Sequence, residues 1–161
     1  MKLILKIKLA ILSLLILSSA TGYAQPSANV EKTVNEIVKK YDGTSGVSCI
    51  TVVKGGGLEM LKMMFNREFG KDFMKGVTSI TLIEYSDASE ETCAALHKDL
   101  EIFSSALQEF DVSKESQFAD NDYIRCFASA SESATLSDFV IAMESDKSKM
   151  IIYMAGKIKV E

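Results

Sequence analysis

Hydrophobic and polar positions follow two different periods along the chain. Three segments carry apolar residues at every third or fourth position, which predicts amphipathic helices. Two runs rich in β-branched residues lie between these segments and predict strands. The helices are expected at residues 28–41, 58–69 and 90–107, and the strands at residues 47–54 and 77–85.

The C-terminal third predicts a meander. Its polar gaps are too short for a crossover helix, so consecutive strands should be antiparallel neighbours. We therefore predict an α+β fold, a two-layer sandwich with about three helices on one face of a mainly antiparallel sheet of about six strands. The run from Val47 to Val53 has no charge on either face and is expected in the centre of the sheet. The C-terminal strands are expected at residues 108–114, 123–129, 138–143 and 150–155.

The last strands carry more apolar residues than one covered face requires. Because all helices are expected on the same face, the opposite face should present aromatic side chains to solvent or to a partner. Either Phe139 or Val140 can occupy this face, depending on the register. The candidate binding face consists of Tyr123, Phe127, Phe139 and Tyr153.

The first 24 residues have the pattern of a secretory signal peptide. Three lysines come first, the apolar run 9–20 follows, and small residues stand at Gly22 and Ala24. The apolar run is shorter than the roughly 20 residues that span a membrane, so a retained anchor is disfavoured. We expect cleavage between Ala24 and Gln25, a periplasmic or secreted location, and one mature domain at residues 25–161 without a membrane span.

The net charge disfavours partners that are recognised by basic surfaces. The whole chain carries −4 at neutral pH, and loss of the three lysines in the leader changes this value to −7. Nucleic acids and anionic membrane surfaces are bound mainly through clusters of Lys and Arg, which the sequence does not contain. The expected partner is an envelope protein or a second copy of the chain.

The roles of the cysteine and methionine side chains each have two possible interpretations. The chain has three cysteines, Cys49, Cys93 and Cys126, which allow one disulfide with a thiol left over, or three buried thiols. Seven of the eight methionines follow the leader. Methionine usually fills gaps in a core, and in some proteins it lines an adaptable binding groove.

The third predicted helix carries the strongest candidate for a chemical site. The residues along one edge of its apolar stripe are Cys93, His97, Glu90 and Glu101. A thiol beside an imidazole can act as a nucleophile, and Cys, His and Glu can bind zinc. The simpler interpretation is a core cysteine beside a solvated pair of His97 and Glu101. We favour this simpler interpretation and assign no catalytic residue, metal or cofactor.

The glycine run Gly55–Gly57 lies between a predicted strand and a predicted helix, and it matches no phosphate-binding fingerprint.

The order of the elements resembles that of a group of bacterial proteins. The signal ends in Tyr23-Ala24-Gln25, and a helix, the strand from Gly46 to Val53, a Met-rich helix and the C-terminal run 155–158 follow. In this pattern the chain resembles the small exported domain-of-unknown-function proteins of Bacteroides-type Gram-negative bacteria. The resemblance implies an envelope or secreted location and assigns no functional residue.

Three functions agree with these features. The leading hypothesis is a non-enzymatic exported module that binds an envelope protein, or itself, through a free face or an edge of the sheet. The alternative is a thiol- or metal-dependent enzyme centred on Cys93 and His97, for which a depressed thiol pKa is expected. A third hypothesis is carriage of a small ligand between the helices and the sheet.

Overall fold

A computed structural model describes residues 30–69, 71–110, 122–131 and 135–159. Within these ranges it has three α-helices, a 3₁₀ helix and six strands. The helices are α1 (Val30–Tyr41), α2 (Gly56–Phe69) and α3 (Glu90–Leu100), and the 3₁₀ helix (Glu101–Ser105) continues α3. The strands are β1 (Ser48–Val53), β2 (Gly76–Glu84), β3 (Gln108–Phe110), β4 (Tyr123–Ser131), β5 (Thr135–Ser145) and β6 (Ser148–Lys159).

The six strands form one sheet in the order β1-β2-β6-β5-β4-β3, and every neighbouring pair is antiparallel. β4, β5 and β6 are consecutive neighbours. β6 also pairs with β2, so the last strand lies inside the sheet. This arrangement confirms the predicted α+β class, the antiparallel sheet of six strands with three helices, and the C-terminal meander.

α1 and α3 pack on one face of the sheet through their apolar stripes. Val34 and Ile37 of α1 are buried, as are Leu96 and Leu100 of α3, and Phe103 of the 3₁₀ helix extends this core. The strand residues that contribute to it include Ile83, Val140, Ile151 and Tyr153. The predicted stripes are therefore the contact surfaces of these helices.

A second core covers the opposite face of the sheet. Leu58 of α2 is buried there, together with Phe73 and Met74 of the connector between α2 and β2. The strand residues that contribute to this core include Ile80, Ile141, Ile152 and Met154. Strands with nearly continuous apolar sequences thus have packing partners on both faces, as expected for a sheet covered on both sides.

The expectation of an open aromatic face is therefore wrong. Phe127, Phe139 and Tyr153 are 0%, 0% and 2% exposed, and Tyr123 is half-buried. These residues do not share a face, because Phe127 and Tyr153 lie on the side of α1 and α3, whereas Phe139 lies on the side of α2. The apolar surplus of the last strands fills two cores instead of one core and one free face.

The position expected for β1 is also wrong. The sheet order places β1 at an edge, and Ile50 and Val53 are 53% and 57% exposed. An uncharged strand is typical of a sheet that is covered on both faces, which is why the sequence favours a central place. The pattern of a strand describes its side chains, whereas its place in the sheet depends on which strands pair with it, and hydrophobic periodicity does not contain that information.

Two predicted boundaries differ from the observed ones. α3 ends at Leu100 and the chain continues as the 3₁₀ helix, although Phe103 and Leu107 of the predicted stripe are still buried. The predicted strand 108–114 is seen at residues 108–110, and its remainder lies outside the described residues, as does the whole of the predicted leader. Among the described helices, none combines the length and the apolar character needed to cross a membrane.

Five of the described methionines form a buried group and an exposed group. Met74, Met143 and Met154 are at most 3% exposed and fill the core on the α2 side of the sheet. Met60 and Met63 of α2 are 61% and 68% exposed, so the core-filling interpretation is wrong for these two. They lie on the outer side of α2, away from the stripe that contains Leu58.

Gly156 is required where β6 meets β2. The register of this pair shifts between Val77 and Ser79, and Gly156 lies opposite with a φ of 97°. A Cβ atom at Gly156 would lie 2.2 Å from the carbonyl oxygen of Gly76, closer than real Cβ atoms approach a backbone oxygen. A side chain at this position would force β2 and β6 apart.

Gly156→Ala is therefore expected to destabilise the protein strongly. The matched control is Gly43→Ala, because Gly43 also has a positive φ, of 80°, but a Cβ atom added there would have no neighbour within 4 Å. The control variant should lose only the roughly 1–2 kcal/mol of unfolding free energy that a left-handed backbone conformation costs an alanine. Urea unfolding of both variants measures the difference, and an equal loss of stability would show that the contact with Gly76 is unimportant.

Candidate functional site

A row of polar side chains crosses the sheet beneath α3. Tyr123 of β4 pairs with Glu144 of β5, and Glu144 pairs with Lys149 of β6. The backbone N–H of Tyr85 donates to the carbonyl oxygen of Lys149 at 2.9 Å and extends the row to the end of β2. We name these residues together with two residues of α3 the α3 cluster, which consists of Tyr85, Cys93, His97, Tyr123, Glu144 and Lys149.

His97 is held by two contacts with the strands. Its Nε2 atom lies 2.6 Å from Oε1 of Glu144, and its ring stacks on the ring of Tyr123 with centroids 4.0 Å apart and an angle of 7° between the planes. The side chains of His97 and Glu144 are 29% and 13% exposed. The imidazole is therefore oriented toward the sheet and not toward the thiol on its own helix.

Cys93 contacts a lysine instead of the histidine. Its Sγ atom lies 3.5 Å from Nζ of Lys149, and the residue is 6% exposed. The first turn of α3 is fixed by Ser89, whose Oγ accepts from the backbone N–H of Thr92 at 3.2 Å and whose carbonyl oxygen accepts from the N–H of Cys93 at 2.9 Å. The N-cap thus sets the position of the thiol.

Tyr85 places a buried hydroxyl in the α3 cluster. The residue is 0% exposed, and its hydroxyl has no hydrogen-bond partner of standard geometry in the described part of the chain. Burial raises the pKa of Tyr85, and the nearby carboxylate of Glu144 raises it further. Because a phenol with a raised pKa stays protonated at neutral pH, Tyr85 contributes a neutral O–H beside Glu144.

Glu101 belongs to a separate group of contacts around Arg125. The guanidinium donates to Glu101 at 2.6 Å, to both carboxylate oxygens of Glu109 at 2.7 and 2.8 Å, and to Oγ of Ser104 at 3.1 Å. It also lies 4.8 Å from the centre of the Phe127 ring. Arg125 therefore joins β3, β4 and the 3₁₀ helix, and Glu101 has a structural partner.

The four residues predicted on the third helix do not form one site. Cys93 contacts Lys149, His97 contacts Glu144, Glu101 contacts Arg125, and Glu90 is exposed. In the described ranges, no three side chains of His, Cys, Asp or Glu converge where a metal ion could bind. A helical wheel places residues on one helix but not the strand residues that face them. In the sequence, only the polar residues at the ends of β5 and β6 indicate that Glu144 and Lys149 could face this helix.

The three cysteines are free thiols. Cys93 and Cys126 are buried, and Cys49 is partly buried. Burial raises the pKa of Cys126, so this thiol is a neutral core residue. Of the two interpretations left open by the sequence, the structure has three thiols and no disulfide among them.

In the described part of the chain, the cavity that α1 and the 3₁₀ helix enclose against the sheet is too small for a ligand. The cavity beneath α1 and the 3₁₀ helix, lined by Ile37, Phe103 and Tyr153 among others, has a volume of about 10 Å³. This is about the space that one water molecule needs. Carriage of a small molecule at this place is therefore not supported.

Comparison of the chain with protein-family models, with curated proteins and with solved structures gave no match.

Asp138 is a second buried polar group. It is 4% exposed, its φ is 51°, and its Oδ1 accepts from the Tyr153 hydroxyl at 3.1 Å, whereas Oδ2 has no partner in the described part of the chain. Burial raises the pKa of Asp138, and the charge of Glu31 adds to the increase, although the hydrogen bond from Tyr153 lowers it. A carboxylate in this position is destabilising when ionised.

Asp138→Asn is expected to stabilise the protein at pH 7. With a raised pKa, the folded state binds the proton more tightly than the unfolded state, so stability falls as the pH rises from about 4 through the raised value. Asn keeps an acceptor for Tyr153 and tolerates a positive φ. The gain in unfolding free energy should disappear below pH 4 in urea titrations.

The control for this prediction is Asp138→Ala, which loses both the acceptor and the tolerance of a positive φ. It should be less stable than the parent protein at every pH. If Asp138→Asn is also less stable than the parent at pH 7, the ionised carboxylate is not the destabilising group and this account is wrong.

His97→Ala is expected to lower stability without changing the reactivity of Cys93. The partly buried Glu144 carboxylate loses the imidazole as its partner, which costs about 1–3 kcal/mol. The rate of Cys93 alkylation, measured with Cys49 and Cys126 replaced, should stay within about twofold, because Cys93 contacts Lys149 and not His97. If the alkylation rate falls strongly while the variant stays folded, the result would contradict this account and support the hypothesis that His97 activates Cys93.

Proposed function

We propose that the protein is an exported, non-enzymatic binding module that recognises an extended polypeptide segment by strand addition to β1. The observation that carries this proposal is the edge strand β1, which within the described ranges pairs with β2 alone. Exposed strand edges pair readily with other chains, and monomeric proteins usually protect them with charge, proline, bulges or short length. The exported location is supported by the leader and by the resemblance described above.

The two edges of the sheet differ in this respect. β3 has three residues, and its Glu109 is bonded to Arg125. β1 has six residues without charge, proline or bulge. The described part of the β3 edge thus carries charge, whereas β1 has the features of a strand that accepts a partner.

β1 is also held in place before a partner binds. Six consecutive residues pair with β2, and the hydroxyl groups of Thr51 and Thr81 lie 3.1 Å apart across the pair. A preformed edge lowers the entropy cost of binding. Main-chain hydrogen bonds would supply the affinity of an added strand.

Two side chains give this edge an apolar character. Ile50 and Val53 are both more than half exposed, and their spacing of three residues places them on opposite faces of the sheet. A partner strand with apolar residues at matching positions would cover both. The edge therefore favours an uncharged, β-branched segment, which includes a second copy of β1 itself.

A thiol- or metal-dependent enzyme at Cys93 and His97 has less support. The thiol is 6% exposed, and the imidazole is engaged by Glu144 and Tyr123. A nucleophile and its base need to lie within hydrogen-bond reach of each other. Strand addition, in contrast, needs only the backbone and side chains that β1 already exposes.

Ile50→Lys is expected to weaken partner binding at least about tenfold, because a charge on an edge strand opposes pairing. The matched control is Ile102→Lys, since Ile102 of the 3₁₀ helix is 52% exposed and lies outside β1. Both variants should keep the parent stability within about 0.5 kcal/mol.

Two measurements test this prediction. Sedimentation velocity of the mature chain reports pairing with a second copy, and a photo-crosslinking amino acid at position 50 or 102 in host cells reports pairing with another polypeptide. Adducts or dimers that depend on position 50 and not on position 102 support the proposal. A monomer that forms no adduct from position 50, or forms the same adducts from both positions, contradicts it.

A further inference from the structure

The amine of Lys149 has a thiol as its contact partner, although a carboxylate would be expected there. Its Nζ atom lies 3.5 Å from Sγ of Cys93, and no carboxylate in the described part of the chain lies within 4.0 Å of it. Glu144, its cross-strand neighbour, is engaged by His97 instead. The amine and the thiol are thus each other's polar neighbours at the end of the sheet.

The backbone on both sides fixes this contact. The N–H of Lys149 donates to Oγ of Ser86, and its carbonyl oxygen accepts from the N–H of Tyr85, both at 2.9 Å. A few residues later, Ser89 caps α3 and accepts from the N–H of Cys93. The same loop therefore anchors both residues, so the distance between the two side chains is set by well-bonded structure.

Cys93 differs from the other two cysteines in this respect. Neither Cys49 nor Cys126 has an amine nitrogen in hydrogen-bond contact within the described ranges, and Cys126 is fully buried. Cys93 is 6% exposed, which hinders bulky reagents but not a small apolar oxidant. A thiol with a neighbouring nitrogen has a path that an isolated thiol lacks, because oxidised cysteine can be captured by nitrogen.

We propose that Cys93 and Lys149 form a site of covalent modification, in which dioxygen joins Sγ and Nζ through a bridging oxygen. The thiol loses its hydrogen, and the amine, after releasing a proton to water, loses one of its two remaining hydrogens. One atom of dioxygen forms the S–O and O–N bonds, and the other leaves as water with the two hydrogens. Sulfur and nitrogen each give up two electrons, which together reduce dioxygen fully.

An oxygen bridge suits the observed distance. The two atoms are 3.5 Å apart without a covalent bond, and an inserted oxygen spans more of that separation than a direct S–N bond would. The bridge would link α3 to the start of β6 and so fasten the helix to the sheet. This site is independent of β1 and of the function proposed above.

Mass spectrometry of the mature wild-type protein tests the proposal. After incubation in air-saturated buffer, the intact mass should rise by about 14 Da, for one oxygen gained and two hydrogens lost, and dithiothreitol should reverse the change. Tryptic digestion should yield one cross-linked species that contains both residues, with no cleavage after Lys149. Protein kept without oxygen should show neither change.

Three variants make the assignment specific. Lys149→Arg keeps the positive charge and Cys93→Ser keeps the size of the side chain, and each should abolish the gain of about 14 Da. Replacement of Cys49 and Cys126 together should leave it intact. The proposal is overturned if tryptic cleavage after Lys149 is complete in oxidised wild-type protein, if Cys93 gains only the masses of its sulfenic, sulfinic or sulfonic acid, or if a loss of about 2 Da reveals a direct S–N bond.

Discussion

The whole sheet depends on the pairing of β6. This strand lies between β2 and β5 and is the only described connection between the β1–β2 pair and the other strands. Its residues alternate between the two cores, with Tyr153 facing α1 and α3 and Met154 facing α2. Both hydrophobic cores therefore require β6 in register, and Gly156 is needed where the register shifts.

The pattern of the sequence predicts the local structure well. Spacings of three and four residues identify the three helices, and short polar gaps identify the meander, because both signals depend on neighbours along the chain. The sheet order does not follow from such signals. β1 and β6 both contain uncharged, β-branched runs, yet one is an edge strand and the other is central. Their places depend on long-range pairing, which a hydrophobic period does not describe.

The candidate site is predicted only in part for the same reason. Cys93 and His97 stand out because they share a helix, but their contacts, Lys149 and Glu144, come from strands about fifty residues later. Pairing of β5 with β6 brings those two residues together, and the loop after β2 brings them under α3. Helical spacing thus identifies the reactive residues, while their chemistry is decided by partners that only the sheet supplies.

The central place of β6 has a consequence for the time at which the chain can fold. The strand that joins the two parts of the sheet is the last of the described strands in chain order, so both cores depend on pairing between segments that are far apart in sequence. Contacts between distant segments also slow folding. The pairing of β2 with β6 is therefore expected to limit the rate at which both cores form.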